Sequence, residues 1–226
     1  MKKLSVKMLI EFRQKSDRAK KTFVENIKSP KIETTAEGGG DYWRSSLSAI
    51  GKSYKFDDFE LIDEKIEELQ EKLSNVSRTI TKDMYQRNIA ILNKYKHMDL
   101  KKLKPNGKSI FLKGSTANKL LTIKGLQIAT QPTHAYTVGG KGQEKVGAIW
   151  FVARKDGYRV EEVAMFCDML YRFLKHNYAK KYQLLTSHCT AVDMFTGRAV
   201  TYSEIESGLH SPILAATLDE INTLMR

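Results

Sequence analysis

The residues from Val146 to Ala153 read Val-Gly-Ala-Ile-Trp-Phe-Val-Ala, an apolar run without a single charge. A strand with one wet face alternates apolar and polar positions, so a run of this kind reads as a strand buried on both faces. Asp156 and Gly157 then turn the chain into a helix over 160–178. Val163, Phe166, Cys167, Leu170, Phe173 and Leu174 share one face of that helix. A buried strand with its covering helix commits the second half of the chain to a layered α/β arrangement. Further strand signals lie at Leu120 to Ala129 and His134 to Val138, with breaks near Gly125 and Pro132. Another runs from about Ser187 to Phe195, followed by a Thr196–Gly197 turn and a returning strand through Tyr202. A last helix signal covers Leu218 to Met225.

The first half reads as helical. Ser5 is placed to cap a helix running to about Ile27, with Leu9, Phe12, Ala19, Phe23 and Ile27 near one face and Pro30 ending it. The glycines 38–40, flanked by Glu37 and Asp41, form a turn. Ile62, Ile66, Leu69, Leu73 and Val76 then mark an amphipathic helix over 59–76 whose other faces are acidic. Thr81 begins another, with Met84, Asn88, Ile91, Leu92 and Tyr95 inward. The basic connector around Lys101 to Gly107 divides the chain. The expected fold is α+β: a helical region over 1–104 packed on an α/β domain over 105–226 with a mixed sheet and β-β-β-α-β-β order.

Charge is unevenly placed. The net formal charge is +12, and it resolves into +7 over residues 1–31, −6 over 32–77, +10 over 78–124 and +1 over 125–226. Two basic blocks around an acidic one point to an anionic partner, for which nucleic acid, DNA or RNA, is the commonest choice. The plain alternative is a solvated, lysine-rich surface. Arg78, Lys82, Arg87, Lys94, Lys101, Lys102, Lys104 and Lys108 are the candidate phosphate contacts. Tyr42 and Trp43 offer either a stacking surface for bases or an anchor that pins a loop to the core. No stretch approaches the roughly 20 apolar residues of a membrane span, so no membrane partner is expected. Glu11 and Arg13 interrupt any signal-peptide core. With only two cysteines, the chain is expected to be cytoplasmic.

The motifs that carry chemistry are sparse. Gly51-Lys52-Ser53 and Gly107-Lys108-Ser109 end like phosphate loops, but Ser46 and Lys102 stand where the first glycine is required. His188 and Cys189 are adjacent, and neighbours on a strand point to opposite faces, so they are not a nucleophile–base pair. The five histidines show no close metal spacing. No catalytic residue, metal ligand or cofactor is assigned from these patterns.

Over residues 120–205, the order strand, strand, strand, helix, strand, return strand resembles the core of the PD-(D/E)xK nucleases, in particular the RecB-like group. The resemblance implies that Val146 to Lys155 is the third core strand and Val160 to Tyr178 its helix. It also implies metal-binding acids that this chain lacks. Val152, Ala153 and Arg154 occupy the acid-x-lysine place, and Pro132, Thr133, His134 and Tyr136 stand on the preceding strand. Glu162 and Phe166 have the spacing of the glutamine–tyrosine motif without matching it, and Glu144 is the only nearby carboxylate. The expectation is a nucleic-acid-binding protein, an inactive nuclease-like or accessory subunit in DNA processing or defence. The alternatives are a protein-interaction subunit that binds a partner through the 59–76 helix, and a metal-dependent nuclease with atypical acids.

Overall fold

The computed structural model describes residues 2–29, 42–99, 102–114, 117–139 and 144–226. Its organising element is the apolar strand. β6 (Lys145–Val152) pairs antiparallel with β5 (His134–Val138) and parallel with β7 (Gln183–Asp193). β2 (Ser109–Phe111) and β8 (Ala199–Thr201) complete a five-stranded sheet of order β2-β5-β6-β7-β8. Side chains alternate across a strand, and β6 serves two cores. Val146, Ala148 and Val152 enter one, with α6 (Val160–Tyr178) packed over it. Ile149 and Phe151, with Ala153 beyond the strand end, enter the other. Trp150 is half-buried and meets Phe166 of α6 edge-on at 5.2 Å.

The second core lies under α3 (Arg44–Phe56), α4 (Glu60–Asn75) and α5 (Thr79–Lys96). Tyr54, Tyr95 and Phe151 meet there edge to face at centroid distances of 5.5 and 6.2 Å. Burial pushes the Tyr95 hydroxyl up to about 12. The first core also takes in α1 (Val6–Arg13), α2 (Asp17–Lys28) and α8 (Leu214–Met225). Residues 4–28 therefore pack with the second half of the chain, and 43–103 supply the helices on the opposite face of the sheet. The chain is an α+β protein in which the two halves of the sequence share both cores. Among the described residues no helix is long and apolar enough to cross a membrane.

Several elements differ from the sequence expectation. Ser5 caps α1 as read, its hydroxyl accepting from the Met8 amide at 3.2 Å. The single helix to Ile27 is instead two, because Ser16 and Asp17 place a second start signal inside the run. Phe12 and Phe23 then meet across the corner at 5.3 Å. The stretch 120–129 is not one strand but a hairpin, β3 (Leu120–Ile123) and β4 (Leu126–Ala129). Lys124 and Gly125 both take positive φ, as a two-residue hairpin loop requires. That hairpin joins β1 (Leu4–Ser5) in a separate sheet of order β1-β4-β3. The outer strand beside β5 is β2, too short to show a periodic signal. The return strand stops at Thr201, whose hydroxyl and Glu204 form a capping box that starts α7 (Tyr202–Glu206). Gly51-Lys52-Ser53 lies inside α3, which the sequence reading did not identify. Pro30, the glycine turn at 37–41 and Lys101 lie outside the described residues.

Two glycines hold elements at close approach. A Cβ on Gly147 would stand 2.6 Å from the His188 carbonyl, where β7 bulges between the pairs Val146–Leu184 and Ala148–Cys189. A Cβ on Gly51 would stand 2.8 Å from the Thr133 methyl. Backbone cannot yield as a methyl can, so Gly147→Ala is expected to cost about 1–3 kcal/mol. Gly51→Ala regains roughly 0.8–1 kcal/mol of helix propensity and should cost less. Urea midpoints of the two variants measure this, and equal losses would contradict the bulge geometry.

Candidate nucleic-acid interface

The acidic and basic blocks fold against each other. α4 buries Ile62, Ile66 and Leu69, and α5 buries Asn88, Ile91, Leu92 and Tyr95. With the helices side by side, Asp63 receives Lys96 at 2.5 Å, and Asp57 at the end of α3 receives Lys104. Lys65 and Lys72 of α4 both bind Glu68, holding its carboxyl below the usual range. Farther along the basic block, Lys124 is bound by Asp219 of α8. Part of the positive field is thus cancelled within the molecule, though each exposed pair contributes little to stability.

Seven of the eight candidate cations separate into three groups. Arg78 and Lys82 at the start of α5, and Lys108 before β2, are exposed and have no carboxylate partner among the described residues. Arg87 reaches Asp83 at 3.8 Å, Lys102 reaches Asp99 at 3.5 Å, and Lys104 is engaged with Asp57. Lys94 donates to the Phe195 carbonyl and lies 5.5 Å over that ring, tying α5 to the β7–β8 turn. Lys101 lies outside the described residues. Lys82, Gln86, Asn93 and Lys94 recur at helical spacing on the exposed side of α5.

The two aromatics part company. Trp43 is 7% exposed within the helical core, which makes it an anchor and removes its ring from a stacking surface, whereas Tyr42 is 47% exposed. Asn88 fixes this segment. Its amide nitrogen donates to the Tyr42 and Met84 carbonyls, and its oxygen accepts from the Ser46 hydroxyl at 2.6 Å.

A second concentration of cations stands at the carboxyl ends of β6 and β7. Arg154, Lys155, Arg159 and Arg198 line one cleft, with Gln14 from the end of α1 and Thr196 from the β7–β8 turn. Two buried carboxylates build it. Asp193 accepts from the Tyr158 amide at 2.9 Å, the Phe195 amide at 3.1 Å and the Thr196 hydroxyl at 2.7 Å. Glu162 accepts from Gln14, Arg154 and the Arg159 amide, each at 2.8 Å. Burial alone would raise the Glu162 carboxyl, but these donors outweigh it and hold the group below its ordinary value. Sequence reading missed this cluster because its residues are spread over 154–198, in the segment of net charge +1. The available signal was the strand–turn–helix junction itself, with three cations between Ala153 and Val160.

Elsewhere the reactive residue types are structural. Cys167 and Cys189 are buried, the Cys167 thiol donating to the Cys189 carbonyl at 3.2 Å, and burial pushes the Cys189 thiol up. Among the described residues no group of three or more His, Cys, Asp or Glu is placed to hold a metal ion. Val152 and Ala153 enter opposite cores, and Glu144 precedes the other end of β6. No family model, curated protein or solved structure matches this chain.

His134 joins the helical layer to the sheet, one ring nitrogen 2.7 Å from the Gly51 carbonyl. Burial lowers its pKa, against the pull of that hydrogen bond, and burial also lowers His188. A lowered folded pKa means that the unfolded chain binds more protons, so stability is complete above about pH 6.5 and falls as the pH drops below it. Urea midpoints between pH 7.5 and 5 should decline, and His134→Asn should flatten part of that decline. A midpoint independent of pH over this range would contradict the burial of both rings.

Proposed function

We propose that this chain binds nucleic acid through phosphate contacts along the exposed side of α5. The observation that carries the reading is the composition of that side. Arg78, Lys82, Gln86, Asn93 and Lys94 offer charged and amide donors, and the one carboxylate within the helix, Asp83, is engaged with Arg87. Such a surface positions a polyanion without reading its sequence. Tyr42 remains exposed, while Asn88 ties its backbone to α5, and it supplies an aromatic face for an unpaired base. The role in view is that of an accessory or catalytically inactive nuclease-like subunit. It rests on the narrower order β5-β6-α6-β7-β8, since β3 and β4 belong to a separate sheet, and on Val152 and Ala153 at the acid-x-lysine place.

A protein-interaction role is the second reading. It is favoured by the exposed side of α4, where Glu64 and Glu67 stand without a cationic partner among the described residues and Glu71 is exposed beside Lys72. Salt dependence separates the two. Binding of a DNA and an RNA oligonucleotide should weaken linearly in log affinity against log salt. Changing Arg78 and Lys82 together to Ala should reduce the slope by about 0.7–0.9 for each phosphate no longer neutralised. Absence of binding at low salt, or an unchanged slope in the variant, would transfer the assignment to the α4 surface.

A further inference from the structure

We propose that the cleft at the carboxyl ends of β6 and β7 is a binding site for a phosphomonoester group. Its volume is about 490 Å³, and its lining brings together Arg154, Lys155, Arg159 and Arg198 against a single carboxylate, Asp156. A phosphomonoester carries about −1.5 to −2 charges at neutral pH. Four cations stand here against Asp156 and the two carboxylates behind the lining, Glu162 and Asp193. The local balance therefore stays positive by one charge, and the group is held by directed donors as well as by charge.

The neighbouring acids are turned inward, so they do not stand between the cations and a ligand. The oxygens of Glu162 and Asp193 are occupied by donors from the protein, and Asp193 is fully buried. What remains toward the cleft is the outer part of each cation. Lys155 is exposed and without a carboxylate partner among the described residues. The Arg159 side chain is 68% exposed and approaches Glu162 only at 3.5 Å. Arg198 spends one nitrogen on the Tyr158 carbonyl at 2.8 Å.

Two of the guanidinium groups are already held in place. Arg154 donates twice to the Gly157 carbonyl, at 3.0 and 2.8 Å, and lies 4.4 Å over the Tyr158 ring. Arg198 is fixed by the bond to Tyr158. Arg154 spends its Nε and Nη2 on Gly157 and Glu162 and offers an oxyanion its Nη1. Arg198, held through one Nη, keeps its other edge for two oxygens, and groups fixed before a ligand arrives lose little freedom on binding it. The position is also one where open α/β sheets take ligands, in the crevice beyond the carboxyl ends of parallel strands. The amino end of α6 is not the source of the site, since Glu162 already caps it.

The same chemistry arrives from two sources, a free phosphate ester or the phosphorylated end of a nucleic acid. Calorimetric titration of the full chain with inorganic phosphate, a 5′-phosphorylated oligonucleotide and its 5′-hydroxyl twin distinguishes them. Inorganic phosphate should bind, and Lys155→Ala and Arg159→Ala should each weaken it about tenfold, the worth of one charge-assisted hydrogen bond. A preference for the phosphorylated oligonucleotide that both variants abolish identifies a nucleic-acid end as the source. Equal affinity of the two oligonucleotides beside phosphate binding identifies a free ester. Lys155 has no partner to lose among the described residues, so its variant keeps the test sound should Arg159→Ala fail to fold by circular dichroism. The proposal is overturned if the folded parent does not bind phosphate, or if neither variant changes the affinity. Oligonucleotide binding without phosphate binding would leave the α5 reading standing and remove this one.

Discussion

The whole arrangement depends on β6 having both edges paired and both faces covered. β5 pairs one edge from Lys145 to Ile149, the Thr133 hydroxyl takes the Phe151 amide beyond it, and β7 pairs the other edge on both sides of the bulge at Gly147. Its side chains then divide between two cores, which fixes where every helix must lie. The parallel pairing with β7 has a further effect. It requires the chain to cross the sheet through α6, and the crossing leaves the ends of β6 and β7 side by side at the cleft.

That junction shows how buried acids organise exposed cations. Asp193 holds the β7–β8 turn against the loop before α6, and Glu162 gathers Arg154, Arg159 and Gln14 at the helix start. Removing one partner of such a buried set leaves donors unsatisfied, at roughly 1–3 kcal/mol for each group. Lys94 extends the arrangement to the helical layer by binding the Phe195 carbonyl. The exposed side of α5 and the cleft therefore share one turn as a common wall.

Long, strongly patterned elements were legible in the sequence. The apolar run, the helix over 160–178 and the acidic helix each carried enough periodic positions to identify type and place. Short elements were not. β2 has too few residues for a pattern, and the β3–β4 hairpin was hidden because Lys124 stands where Asn or Asp would have marked the turn. α3 was obscured by its serines and by Gly51, whose place in a helix makes sense only beside Thr133. The basic block 78–124 could be named from charge alone. Its long-range pairing could not, because Asp57, Asp63 and Asp219 reach Lys104, Lys96 and Lys124 only through the fold. The Arg154–Arg198 cluster had the same limitation, since its members meet only when β7 returns beside β6.

The lengths of the strands have a consequence for how copies of the chain behave toward one another. The strands at the sheet margins, β1, β2, β3 and β8, run two, three, four and three residues. The long strands β6 and β7 lie inside. An exposed margin is a template onto which another chain can add by backbone pairing, and its hold grows with every residue it offers. Margins this short offer a visiting strand only a few bonds. The segment most prone to self-association, Val146 to Ala153, is kept where no second copy can reach it without unfolding the sheet. The pattern that makes β6 a good centre would make it a hazardous edge, and its place in the strand order keeps it from being one.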